Sequence, residues 1–249
     1  MTTPTFASPV TPERALADRI TNVIRQKSDN SPRSKVVNIG PSEIGDPCLR
    51  KLSYKLMEVP KTNSFSDPWP SVSGTAIHAW LAEAFEADNG DADWLVEHRV
   101  EARPGLAGTL DLFDRKTGTV IDHKCVGATS MKARKADGPT EQQIVQLNVY
   151  GYGLEQQGHE VKKIALAFYP LGGMLTGLHT WVGDYDKDKA IEAMIRLDDT
   201  KNLIAMLDPE EHPDRWELVP ASASRNCSYC PWYVPGSEDL SQGCSGGKA

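Results

Sequence analysis

Residues 108–124 read GTLDLFDRKTGTVIDHK, and their pattern decides the fold. Two apolar runs, 107–113 and 119–126, flank Asp114-Arg-Lys-Thr-Gly118, whose length and glycine fit a hairpin turn. Strand side chains alternate faces with a period of two, so Asp122 and Lys124 share one face of the second run. In such a hairpin Asp111 can face the same way on the neighbouring strand, leaving Leu110, Leu112 and Ile121 to a core on the other side. Two carboxylates brought that close repel one another unless a divalent cation sits between them. A lysine beside them can polarise a phosphate or orient an attacking water, which is the equipment of metal-assisted phosphodiester hydrolysis. Asp-x-Lys alone is common, and a surface hairpin with solvated charges is the plain alternative. Its position after Gly108-x-x-Asp111, on apolar strands, narrows the reading to a site.

Outward from the hairpin, the pattern predicts a strand over 94–100 before it and an amphipathic helix over 71–87 before that. In this helix Ile77, Trp80, Leu81, Ala84 and Phe85 recur at helical spacing, with His78 beside the stripe. After the hairpin come a basic loop over 127–138, holding Lys132, Arg134 and Lys135, and a helix opened by Pro139 and Thr140 and ended by Gly158. A strand over 161–169, a long helix over 184–207 and an irregular tail from Asp208 complete the chain. At the front, 11–25 reads as a helix and Cys48 opens another. The order of helix, strands, helix, strand, helix gives a mixed α/β core. We expect a polar, helical segment over 1–40 and one domain over 41–249, whose last part, 208–249, carries the cysteines.

Composition sets bounds. The 249 residues are 39% hydrophobic and 24% charged, enough for a real core in an ordinary globular protein. No apolar run reaches a membrane-spanning length, and the N-terminal MTTPTFASPVTPERALADRI lacks the basic start and apolar core of a secretory signal, so the expected compartment is the cytoplasm. The net charge of −7 counts mildly against a nucleic-acid binder, but a carboxylate-rich metal centre adds negative charge, and binding needs only a local basic stripe. The stripes on offer are Lys132, Arg134 and Lys135, or Arg50, Lys51 and Lys55, although such runs are commonly just solvated faces. There is no Gly-x₄-Gly-Lys-[Ser/Thr] motif, so any unwinding needs another protein, such as a helicase or recombination partner.

Taken in order, His78, Gly108-Thr-Leu-Asp111, Asp122-His-Lys124 and Gln146-Leu-Asn-Val-Tyr150 resemble the RecB-like branch of the PD-(D/E)XK nucleases. Gln146 and Tyr150 stand four apart on one helix face. The resemblance implies a restriction-endonuclease-like core, a mixed sheet flanked by helices. It also implies that His78, Asp111, Asp122 and the main-chain carbonyl of His123 bind Mg²⁺ or Mn²⁺. Lys124 would activate the water or steady the phosphate, and Gln146 and Tyr150 would position DNA or the active site. Glu97, on the preceding strand, is expected to make a surface salt bridge, with an accessory role as the lesser reading.

The five cysteines are an odd number in a chain without an export signal, which argues for a metal or cluster rather than disulfides. Cys227 and Cys230 form a Cys-x₂-Cys pair, Cys244 adds a third thiolate, and Cys48 can supply the fourth from the opposite end of the domain. This arrangement resembles the iron–sulfur nucleases, the RecB-like CRISPR-associated family and the AddB-type helicase–nucleases, in which one cysteine precedes the core and three follow it. That resemblance implies a [4Fe–4S] cluster joining the N- and C-terminal segments; spacing alone leaves a structural Zn²⁺ site open. Cys125 is expected to be a buried small hydrophobe. The reading is therefore a metal-dependent deoxyribonuclease, an exonuclease on single strands or DNA ends in recombination, repair, or phage or CRISPR DNA processing. The rival is a catalytically inactive, metal-stabilised DNA-binding or adaptor module.

Overall fold

The computed structural model describes residues 11–30, 38–63, 67–90, 93–222 and 227–247. Parts of the expected polar segment over 1–40, namely 1–10 and 31–37, lie outside the described residues. The chain divides into two compact units, Met1–Val36 with Asp67–Ser73, and Val37–Ser66 with Gly74–Ala249. The first unit contains α1 (Pro12–Asp29), opened by Thr11, whose side chain accepts from the Arg14 amide, and by a proline at its first position. Leu16, Ile20 and Val23 follow one helical stripe and are all exposed. This unit also holds the first residues of α4 (Trp69–Ala87), which runs on into the second unit.

The second unit is built on a five-stranded sheet in the order β1 (Trp94–Arg103), β2 (Leu106–Asp114), β3 (Thr119–Val126), β4 (Lys163–Pro170), β5 (His179–Asp184). Neighbours are antiparallel except β3 and β4, which run parallel. The turn at 104–105 is Pro-Gly, with Gly105 at φ 81°, and closes β1 on β2 at Arg103↔Leu106; a bulge between Glu101 and Arg103 then shifts the register by one, so that Val96 faces Leu112 and His98 faces Leu110. Asp114 makes the second turn: its Oδ1 accepts from the Lys116 amide at 2.9 Å and its carbonyl from the Gly118 amide at 2.8 Å. Gly118 sits at φ 68°, where a Cβ would lie 2.7 Å from the Glu160 carbonyl, so only glycine fits.

The crossover from β3 to β4 carries α5 (Ala128–Asp137) and α6 (Glu141–Gln156). Residues 127–138, expected as a loop, are thus largely helical. Alanine, methionine and lysine are strong helix formers here, and Gly127 and Gly138 delimit them. Thr140 and Gln143 close α6 with a reciprocal capping box. Nine residues of α6 are buried, among them Leu147, Val149, Tyr150 and Leu154, so it lies inside the fold between the sheet and α7 (Lys187–Leu207). Leu110, Phe113, Val120, Ile164, Leu166 and Phe168 make the sheet's own core, so the central hairpin is buried rather than a solvated surface feature. β5 went unforeseen: it is a short edge strand whose burial alternates along a polar, glycine-containing sequence.

At the front, α2 (Pro41–Ile44) and α3 (Leu49–Leu56) pack into the same unit. Here the Arg50–Lys51–Lys55 stripe is corrected. Arg50 is only 8% exposed and donates to the Val219 carbonyl, Lys51 pairs with Asp46 at 2.6 Å and Lys55 with Glu43 at 2.6 Å. These cations are committed to internal partners, since burying an unpaired charge is prohibitive. Trp80, expected on the buried stripe of α4, is 66% exposed; the helix is anchored through Leu81 and Phe85 instead.

Candidate active site

The β2–β3 ladder is regular from Asp114↔Thr119 to Leu112↔Ile121. Beyond that pair the side chain of Asp111 takes over, its Oδ2 accepting the main-chain N–H of His123 at 2.7 Å. Its other oxygen, Oδ1, lies 3.3 Å from Nδ1 of His78 on α4. Asp122, one residue before His123, is 3% exposed. Its Oδ1 accepts from Nε2 of Gln146 on α6 at 2.8 Å, while Oε1 of the same amide lies 3.4 Å from Nζ of Lys124. The Lys124 ammonium stands 2.7 Å from Asp122 Oδ2 and supplies the counter-charge for that buried oxygen. A carboxylate buried this deeply costs desolvation energy, which the ammonium offsets only in part.

The electrostatics follow from this packing. Burial, reinforced by the Asp111 charge and opposed by Lys124, pushes the Asp122 carboxyl up to about 6. Asp111 is buried too, yet its bond to His78, the imidazole's charge and the His123 amide outweigh burial and hold it below the usual carboxylate value. The same bond raises His78. Burial lowers His123 to about 4, keeping its ring neutral. That ring is stacked on Phe85, with centroids 5.5 Å apart, and meets the Tyr169 hydroxyl through Nδ1 at 3.3 Å. Phe85 and Tyr169 therefore hold His123 and, through it, the segment carrying Asp122 and Lys124.

The structure brings His78, Asp111, Asp122, Lys124 and Gln146 together as the sequence pattern suggested. Tyr150 is buried in the sheet core, and a Cβ on Gly108 would come within 3.1 Å of its ring and 2.9 Å of Pro41. The glycine of Gly-x-x-Asp thus admits both Pro41 and Tyr150 against β2. Lys132 and Lys135 are exposed on α5. Arg134 is half-buried and donates to the Gly138 carbonyl at 2.9 Å, capping its own helix. Glu97, expected as a surface salt-bridging residue, has its carboxylate in one group with His78 and Asp111, ligand atoms all within 4.8 Å of one another. The 104–105 turn alone would set 97 opposite 112; the bulge between Glu101 and Arg103 shifts the register by one and brings it opposite 111.

The cysteines gather at a second place. Cys48, Cys227, Cys230 and Cys244 line one cavity of about 690 Å³. Its walls are knit from both ends of the unit. Asn63 donates to the carbonyls of Ser228 and Cys230, Trp232 Nε1 to the Val59 carbonyl and Tyr54 to the Leu240 carbonyl. Tyr54 also packs on Trp216 and Trp232. Cys244 Sγ receives the Gly246 amide at 3.4 Å and faces Arg50 Nη1 at 3.7 Å. Among the described residues no three of the cysteine sulfurs fall within 4.8 Å of one another. Four thiolates on one tetrahedral zinc, with Zn–S about 2.3 Å, stand closer than that; thiolates on separate irons of a cluster stand further apart. Cys125 is half-buried rather than fully buried.

This geometry agrees with what comparison with known proteins shows. The family model of the PD-(D/E)XK nuclease superfamily matches residues 94–234. The match covers more than half of the chain, and the chain belongs to that superfamily. Among solved structures, an alkaline exonuclease (LHK-Exo) from Laribacter hongkongensis is 13% identical with a TM-score of 0.50, covering 75% of this chain and 96% of that one. The protein SSO0001 is 17% identical with a TM-score of 0.52, covering 87% and 95%. These likenesses concern the fold. No curated protein matches the chain.

Proposed function

We propose that this chain is a divalent-metal-dependent deoxyribonuclease that cuts phosphodiester bonds at single strands or DNA ends. The observation that carries the reading is the buried Asp122 carboxylate, held between Gln146 and Lys124 beside Asp111 and His78. That donor set of carboxylate oxygens and a ring nitrogen suits Mg²⁺ or Mn²⁺. His78, Asp111, Asp122 and the His123 carbonyl would hold the ion, which when bound supplies Lewis-acid polarisation and a more acidic water. Gln146 fixes both Asp122 and Lys124 through the two ends of one amide, so the carboxylate and the ammonium keep their spacing before substrate arrives. Lys124, half-buried, is placed to hold an attacking water or to meet the charge that grows on the phosphate. Lys132 and Lys135 offer the DNA backbone a basic approach.

Exonucleolytic action is the form we favour, and it is the activity named for the Laribacter structure of like fold. We assign Cys48, Cys227, Cys230 and Cys244 to a [4Fe–4S] cluster of the RecB-like kind, on their gathering around one cavity and the resemblance of their order to the iron–sulfur nucleases. The cluster would cross-link the front segment to the tail; Zn²⁺ is the alternative occupant. Recombination, repair, or phage or CRISPR DNA processing in the cytoplasm, alongside a helicase or recombination protein, is the setting that fits. No described helix is long and apolar enough to cross a membrane.

The test is digestion of end-labelled single- and double-stranded DNA with Mg²⁺, with Mn²⁺ and with EDTA. Stepwise shortening from an end that stops in EDTA supports the reading. Undiminished cleavage in EDTA refutes the metal, and DNA binding without cleavage in any metal establishes the adaptor reading.

A further inference from the structure

We propose that Glu97 is a further metal ligand of this site, reaching the ion from the solvent side together with His78 and Asp111. The inference rests on the metal-dependent reading above and names a residue that the His–Asp–Asp–Lys pattern does not include.

Three observations lead to it. First, the β1–β2 register runs Val96↔Leu112 and His98↔Leu110, which sets Glu97 across from Asp111. Second, its carboxylate oxygen, Nδ1 or Nε2 of His78 and a carboxylate oxygen of Asp111 all lie within 4.8 Å of one another. One octahedral cation with metal–oxygen distances of about 2.1 Å spans roughly 4.2 Å between opposite ligands, so this spread suits a single ion after slight closure. Third, Asp122, on the strand next to Asp111, is 3% exposed, has the Lys124 ammonium at 2.7 Å and feels the charges of both Asp111 and His78, so a further buried carboxylate borders the cluster. Glu97 also breaks the local rule for a strand, with φ 44° in the left-handed region. A backbone held there is consistent with a side chain aimed by function rather than by strand geometry.

The chemistry of the role is simple. Glu97 is exposed, so it adds a hard anionic oxygen where an ion arrives from water, and it raises affinity by opposing the loss of hydration.

The experiment is Mn²⁺ titration of the intact protein, without DNA, followed by the loss of the free Mn²⁺ electron-spin-resonance signal and by calorimetry. Wild type, Glu97→Gln, Glu97→Asn, His78→Ala, Asp111→Asn and the surface control Glu83→Gln are compared, each with its circular dichroism recorded. Asparagine tolerates the left-handed backbone and lacks the charge, so it guards against a folding artefact in the glutamine variant. We expect Glu97→Gln and Glu97→Asn each to bind Mn²⁺ at least tenfold more weakly than wild type, and Glu83→Gln to bind as wild type does. If His78→Ala and Asp111→Asn weaken binding while both Glu97 variants titrate like wild type, Glu97 is not a ligand and only this inference falls. If wild type itself takes up no Mn²⁺, the metal-dependent function falls with it.

Discussion

Replacing Asp122 by asparagine should make the metal-free protein more stable while abolishing its chemistry. The carboxyl is moved from an ordinary value of 3.8 to about 6, chiefly by burial. A shift of about two units corresponds to about 3 kcal/mol that the folded state loses by holding the charge. The folded-state value lies above the ordinary one, so this penalty is fully present above about pH 6. It shrinks as the pH falls through that value, because the folded carboxyl takes up its proton first, and it is gone below 3.8. Asparagine keeps an oxygen for the Gln146 amide but sets an NH₂ group against Lys124, so the net gain at pH 8 should be about 1–3 kcal/mol. For a chain of this size that raises Tm by roughly 2–4 °C per kcal/mol. The assay is thermal unfolding of both proteins in EDTA at pH 8 and pH 4.5, then at pH 8 with Mn²⁺. The variant should melt higher at pH 8, the gap should narrow in acid, and saturating Mn²⁺ should raise wild type alone, by about 2.7 kcal/mol at a hundred times its Kd. A variant less stable than wild type at pH 8 in EDTA, or a gap that widens in acid, would refute the buried-charge argument.

Lys124→Ala should lower kcat by at least about 10²-fold while leaving DNA affinity and Mn²⁺ binding near wild type, because its contribution is concentrated in the transition state; single-turnover cleavage beside filter binding checks this. Removing Lys132 and Lys135 together should do the opposite, weakening DNA binding and flattening its salt dependence by up to about two phosphate contacts, as read from affinity against salt concentration. Arg134 is left in place there because it caps its own helix. Anaerobically purified protein should be brown, and Cys48→Ser should bleach it and lower Tm; colourless protein with stoichiometric zinc would assign the cavity to zinc instead.

The parts of the fold that were legible in the sequence are those whose pattern is local. Alternation in 119–126, the glycine of the 114–118 turn and the cap at Thr140 each fix an element through neighbours a few residues away. Asp111, Asp122, Lys124 and Gln146 could be placed from the same periodicities. What escaped depends on distant partners. Residues 127–138 hold helix formers that read as a charged loop only because the charges were noticed first. Arg50, Lys51 and Lys55 look like a binding stripe until Val219, Asp46 and Glu43 are set against them, and Val219 is 169 residues away from Arg50. Trp80 fits an apolar spacing, yet spacing does not say that His78, Leu81 and Phe85 meet the rest of the unit while Trp80 stays exposed. Glu97 escaped for a like reason: the Pro-Gly turn alone sets it opposite 112, and only the bulge between Glu101 and Arg103 brings it opposite Asp111.

The local rules fail together, and the place where they fail is informative. Within the sheet, the β2–β3 ladder gives way after Leu112↔Ile121, a carboxylate replaces a strand carbonyl as acceptor for the His123 amide, and a non-glycine strand residue sits at φ 44°. Beside these, the buried Asp122 carboxylate has one ammonium at 2.7 Å and feels the like charge of Asp111. Packing around the site is tight: Phe85 and Tyr169 grip His123, and Gly108 admits both Pro41 and Tyr150. Several departures gathered at one polar spot are the pattern expected when function, rather than stability, sets the local sequence. A divalent cation bound here, as we propose, would give these departures one cause: an ion held by Asp111, His78 and Asp122 would add to the single positive charge of Lys124, and the irregular backbone would serve the geometry of its ligands.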